Sequence, residues 1–135
     1  MPVHYEYLPA TSATQQELVL LHGWGCNREV WRPLLMLLRP WANLTLLDLP
    51  GCAPGLSSAG KNEAELAGLL AGILACCPEQ AVYVGWSLGG QLAIELAVHE
   101  PQRVLAVVTV CSNPRFVATG DWPGMGADVF SEFRS

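Results

Sequence analysis

The sequence predicts an α/β protein, a mostly parallel sheet with helices on both faces. Three observations carry this. Short apolar runs alternate along the chain with segments of helical periodicity, the order that successive βαβ units require. The runs are almost wholly apolar, as strands covered on both sides are. Of the 135 residues, 51% are hydrophobic and 14% charged, which supplies a sizeable core for one modest domain.

Taken in order, residues 3–8 suggest an edge strand, and the runs 18–21, 44–47, 81–84 and 104–110 the parallel strands. The last is rich in β-branched residues and is expected to be buried on both faces. A helix is expected within 28–39, capped by Asn27, with Pro33 in its first turn or delaying its start. Leu66, Leu69, Leu70, Ile73, Leu74 and Cys77 share one face of a second helix, which Pro78 ends. Its other side carries Gly68, Ala71, Gly72 and Ala75, a small-residue face suited to close packing on the sheet. A third helix runs from about Leu88 to His99 with Leu92, Ala93, Leu96 and Ala97 inward, ahead of Pro101. Beyond Val110, Pro and Gly punctuate a loop, and residues 128–134 suggest the start of another helix.

A net charge of -5 without a Lys/Arg run argues against nucleic acid or an anionic membrane as partner and favours a small-molecule substrate. No stretch has the length of a bilayer-spanning helix, and the N-terminus has neither a basic nor an apolar signal region, so a cytoplasmic location is expected. Cys26, Cys52, Cys76, Cys77 and Cys111 lie outside metal-ligand spacings. They are expected to be buried small hydrophobes in a reducing compartment, with no metal or cofactor.

The motif that carries chemistry is Gly85-Trp86-Ser87-Leu88-Gly89. An apolar strand precedes it and a helical pattern follows, the setting in which Gly-x-Ser-x-Gly lifts a serine into a cleft on a sharp turn. Ser87 is the expected nucleophile, and Gly85 and Gly89 stand where side chains would collide. Orphan amides at the start of the helix favour an oxyanion, and Leu88 is the natural first donor. His22-Gly23-Trp24-Gly25, after an earlier strand, offers the second through the Trp24 amide. The Trp24 and Trp86 indoles would suit either an acyl-binding wall or the core. Gly90 would let the helix lie tight on the sheet.

These residues, with Glu29-Val30-Trp31, Leu47-Asp48-Leu49-Pro50-Gly51 and Trp122-Pro123-Gly124, resemble the pimeloyl-[acyl-carrier protein] methyl ester esterases of biotin synthesis, within the α/β-hydrolase superfamily. The resemblance runs along essentially the whole chain but matches only the front part of the family's. It implies the α/β-hydrolase fold, truncated before the C-terminal strands, with residues 1–112 as the N-terminal part of the core and 113–135 as the start of a lid. It also implies a serine carboxylesterase that removes methanol from pimeloyl carried on acyl-carrier protein. Ser87 would be the nucleophile, Trp24 and Leu88 the oxyanion and substrate contacts, and no cofactor would be required. Arg115 or Arg134 would help to dock the acidic carrier. The chain departs from the family at Gly51-Cys52-Ala53-Pro54-Gly55, which puts local loop shape in question.

A serine needs an imidazole within about 3 Å, itself oriented by a carboxylate. Only His99 follows Ser87, and along the intervening helix it would lie roughly 18 Å away. His22 is expected to hold its own loop by hydrogen bonding, and His4 to sit at the surface or sheet edge. Asp48, Asp121 and Asp128 read as structural. The acid and base are therefore expected beyond Ser135, the 135 residues alone to be a poor esterase, and the run 104–110 to leave an apolar edge prone to self-association. Other readings stay open. Gly23-Trp24-Gly25 with Asp48 suggests dinucleotide binding, although Arg28 occupies the third glycine position. A non-catalytic hydrolase-like module, or acyl transfer, thioester or peptide hydrolysis on the same fold, also fits.

Overall fold

The structure, a computed structural model, describes residues 2–50 and 63–132. Gly51-Cys52-Ala53-Pro54-Gly55 and Arg134 lie outside the described residues. Strands β1 (His4–Leu8), β2 (Glu17–Leu21), β3 (Asn43–Asp48), β4 (Ala81–Trp86) and β5 (Val104–Val110) form one sheet in the order β1-β3-β2-β4-β5. Only β1 runs antiparallel, pairing with β3 at the edge; the other pairs are parallel.

Alternation along the strands builds two cores. Leu18 and Leu20 of β2 and Leu44 and Leu46 of β3 face Trp31 and Ala42, with Leu35 and Leu38 packed alongside. Val19, Leu21, Leu47 and Tyr83 point the other way, onto Leu70 and Ile73 of α2 (Glu63–Ala75) and Leu92, Ala93 and Leu96 of α3 (Leu88–His99). The period of two that sends neighbours to opposite faces thus covers both sides of the sheet with apolar contacts.

The expected helix within 28–39 is two pieces, a 3-10 helix over Arg28–Leu34 followed by the single α-helical turn α1 (Leu35–Leu38). Pro33 lies inside the first piece, where its missing N–H removes a donor that a continuous α-helix would use. Asn27 caps it as expected, its side chain accepting from the Glu29 amide at 3.0 Å. The α2 helix ends at Ala75, where Arg103 donates to the Leu74, Pro78 and Glu79 carbonyls and satisfies the end of the helix and the turn beyond it. After Val110 come the isolated bridges Val117–Met125 and Thr119–Trp122, then the short helix α4 (Ala127–Glu132).

Three expectations need correction. The small-residue side of α2 does not pack on the sheet. A side chain at Gly68 would meet open space, and only Gly72 comes close to anything, the Val3 side chain; the leucine side alone finds the sheet. β5 is not buried on both faces either: Leu105 is 59% and Val108 48% exposed. Among the described residues β5 has β4 on one side and no strand on the other, so its apolar side chains lack the neighbours their composition suits. Finally, the cysteines are not uniformly buried: Cys26, Cys76 and Cys77 are half-buried and Cys111 is exposed.

Candidate active site

β2 is the central strand of the five. The chain leaving its carboxyl end crosses to β3 on one side, and the chain leaving β4 crosses to β5 on the other. Where successive connections diverge in this way a crevice opens at the carboxyl ends of the strands. The loop at residues 22–25 and the turn at Ser87 lie at the two lips of that crevice.

Ser87 joins β4 directly to α3 at φ 54°, ψ -114°, a conformation that side-chain-bearing residues rarely adopt. The flanking glycines make it possible. A Cβ at Gly85 would overlap the Gly89 carbonyl, and one at Gly89 would overlap the Leu21 carbonyl of β2. The second contact is informative, because it seats the first turn of α3 against the start of the loop bearing Trp24. Ser87 is half-buried and Leu88 buried. As the first residue of α3, Leu88 presents an amide that, among the described residues, has no acceptor, and the Trp24 amide likewise has none.

The loop itself is clamped. The Cys26 amide donates to the Gly23 carbonyl at 3.3 Å, and Gly25 at φ 68° takes the left-handed position of this tight turn. His22 is 3% exposed. Its Nε2 accepts from the Leu49 amide at 2.9 Å, so the ring proton resides on Nδ1, which donates to the Gly23 carbonyl at 2.8 Å. Both nitrogens are occupied in holding the loop, as expected from the sequence. Trp86 lies against Gly23 and packs with the Trp31 face of the core, whereas Trp24 is exposed.

The other candidate acids and bases stand apart. Asp48 accepts from the Arg28 amide and from its guanidinium, both at 2.8 Å, and Arg28 also pairs with Glu6 at 3.4 Å. A carboxylate held this way ties the far end of the loop to β3 and is not offered to a ribose, which removes the support for dinucleotide binding. His99 is at the opposite end of α3 from Ser87, exposed and 3.4 Å from Glu95. His4 is exposed on β1, three strand spacings or about 14 Å from β4. Asp121 and Asp128 are exposed in the segment after β5. Among the described residues no imidazole is placed to take the Ser87 proton.

Sequence reasoning missed Ser112. Its hydroxyl donates to the Ser87 carbonyl at 2.6 Å, and the Ser87 amide donates to the Val110 carbonyl at 2.9 Å. A serine two residues past a strand carries no local signal that it reaches back across the sheet.

Residues 17–135 match the family model for the alpha/beta hydrolase fold. The chain is 45% identical over 123 residues to the pimeloyl-[acyl-carrier protein] methyl ester esterase of Edwardsiella ictaluri, covering 91% of this chain and 46% of that protein. It is 45% identical over 120 residues to the enzyme of the same name from Serratia marcescens, covering 89% and 46%. The chain thus spans about half the length of the curated relatives it matches. Among solved structures, an esterase from Exiguobacterium antarcticum superposes with a TM-score of 0.72 at 18% identity, over 96% of this chain and 49% of that one. An alpha/beta hydrolase from Sphaerobacter thermophilus superposes at 0.65 with 21% identity, over 98% and 49%. At these identities the superpositions report the fold alone.

Proposed function

The chain belongs to the alpha/beta hydrolase fold family, and from that premise we propose that it is the nucleophile-bearing part of a serine carboxylesterase acting on the methyl ester of pimeloyl-acyl-carrier protein in biotin synthesis. One observation carries the chemistry: Ser87 stands in a left-handed turn between β4 and α3, followed directly by the unpartnered Leu88 amide, at the sheet's switch point. The two relatives' names support the substrate. On this reading residues 1–112 are the front of the hydrolase core and 113–135 begin the lid.

Ser87 Oγ attacks the ester carbonyl while an imidazole takes its proton, and the Leu88 and Trp24 amides receive the developing oxyanion. Collapse expels methoxide, which leaves as methanol with that proton. Water then cleaves the acyl-serine, releasing the carboxylate and restoring the hydroxyl. His22 is committed to its loop and His4 and His99 are distant, so the base comes from polypeptide outside the described residues. No step calls for a metal or cofactor. The partner is acyl-carrier protein, with Arg115 a docking cation. A second partner is another copy of the chain, joined at the β5 edge. The location is cytoplasmic; among the described residues no helix is long and apolar enough to cross a membrane.

The test is hydrolysis of p-nitrophenyl butyrate, and methanol release from the pimeloyl-carrier methyl ester, by three proteins: the 135-residue chain, a form extended to the relatives' length, and the extended form with Ser87→Ala. Turnover by the extended form that Ser87→Ala abolishes, with little from the short chain, is expected. Robust turnover by the short chain would place a base within these residues, and turnover that survives Ser87→Ala would remove Ser87 from the mechanism.

A further inference from the structure

The left-handed Ser87 conformation has to be held by its surroundings, because nothing in an L-residue's own preferences sustains it. Two groups at the end of β5 grip the residue from either side of its α-carbon. The Val110 carbonyl takes the Ser87 amide at 2.9 Å, and the Ser112 hydroxyl donates to the Ser87 carbonyl at 2.6 Å. That carbonyl also receives the Gly90 and Gln91 amides at 3.0 and 3.3 Å, bonds that the first turn of α3 supplies in any case. Among the described residues Ser112 is the one side chain that adds to them.

Ser112 reaches this position through two further features. Cys111, between the two gripping residues, is itself left-handed at φ 48°, which turns the chain so that Val110 and Ser112 both face the elbow. Gly90 then leaves room. A Cβ at Gly90 would lie 2.5 Å from both Cβ and Oγ of Ser112, whereas its nearest approach to the Gly85 carbonyl would be 3.1 Å. The second glycine of Gly89-Gly90 therefore answers to Ser112 rather than to the sheet, which refines the expectation that it lets the helix pack tightly.

We infer that Ser112 is a positioning residue for the Ser87 nucleophile, its hydroxyl fixing the strained elbow through the Ser87 carbonyl, and that Gly90 is glycine to admit it. The inference rests on Ser87 being the nucleophile only for its catalytic consequence; the conformational part stands without it.

The experiment compares the wild-type 135-residue chain with Ser112→Ala, Ser112→Thr and Gly90→Ala, recording the Ser87 carbonyl, Cα and Cβ carbon shifts and the thermal midpoint; the rate of Ser87 labelling by a fluorophosphonate, followed by mass spectrometry, is measured with the same substitutions in the form extended to the relatives' length. In Ser112→Ala the Ser87 carbonyl signal moves and its Cα and Cβ signals leave their left-handed positions, with other amide changes confined to residues near the elbow. Labelling falls at least tenfold relative to wild type. Ser112→Thr, which keeps the hydroxyl, returns the Ser87 signals toward wild type, and Gly90→Ala moves them as Ser112→Ala does. Unchanged Ser87 signals in a folded Ser112→Ala chain overturn the inference, as does a change spread evenly over the sheet. An extended wild-type form that fluorophosphonate does not label counts against Ser87 as the nucleophile, while the carbon shifts of the 135-residue chain still decide what Ser112 does.

Discussion

His22 uses both ring nitrogens on the loop that carries Trp24, one toward Gly23 and one toward Leu49. Replacing it with alanine strands the buried Leu49 amide and opens a cavity, so a loss of about 2–4 kcal/mol is expected in urea denaturation. Beneath the sheet, burial pushes the Cys77 thiol up to about 11, partly countered by its interaction with Tyr83, and pushes the Tyr83 hydroxyl higher than its usual range. An unfolded thiol titrates near 8.5, so between there and about 11 the folded chain holds a proton that the unfolded chain has released. Stability is therefore steady below that window and declines as pH rises through it. Urea midpoints measured from pH 7 to 11 should show the decline, and Cys77→Ala should make it shallower; an identical slope would detach it from Cys77. At this scale the sequence was readable wherever chemistry and neighbours coincide. Gly85 and Gly89 announce the elbow, and a histidine in a Gly-rich turn suggests a clamp. Ser112 was not readable, because its partner lies 25 residues away, at the end of the neighbouring strand.

Strands were more legible than their surroundings. The apolar runs marked β2 to β5 to within two residues at each end, because strands covered on both faces leave short, nearly unbroken apolar runs. The 3-10 helix at Arg28–Leu34 was not legible as such: a proline in the first turns is compatible with several helical starts, and the outcome depends on how Trp31 is drawn into the core. Asn27 was recognisable as its cap, and Asn27→Ala should cost about 1 kcal/mol, measured as a shift in the denaturation midpoint. The Arg28–Asp48 bridge at the same end is some 70% shielded, and Asp48→Ala leaves the Arg28 amide and guanidinium without it; a further loss of about 1–2 kcal/mol is expected. The exposure of β5 was misjudged for a different reason. Composition reports the environment that suits a strand, whereas exposure depends on which elements lie beside it.

The sheet's two ends are guarded unequally. At β1, Glu6 bridges to Arg28 and Arg32, and charges of this kind discourage pairing with another chain. β5 reads Val-Leu-Ala-Val-Val-Thr-Val, with no charge and no proline over seven residues. Sedimentation velocity should therefore show concentration-dependent association of the 135-residue chain, and Val108→Lys should reduce it without lowering the thermal midpoint. Association unchanged by that substitution would move the contact elsewhere. The central place of β2 carries a consequence in time. Leu18 pairs with Leu44 on one side but must wait for Val82 on the other. At roughly 5–20 residues per second of synthesis, Ser87 follows Trp24 by about 3–13 seconds. From the completion of β3 until β4 is made, the nascent chain has β1, β3 and β2 available while β2 keeps one edge bare, and Leu21 and His22 await the glycine that will close over them. The two halves of the site are thus made early and late. The ribosome, rather than diffusion of a finished polypeptide, sets how long the first half stands alone.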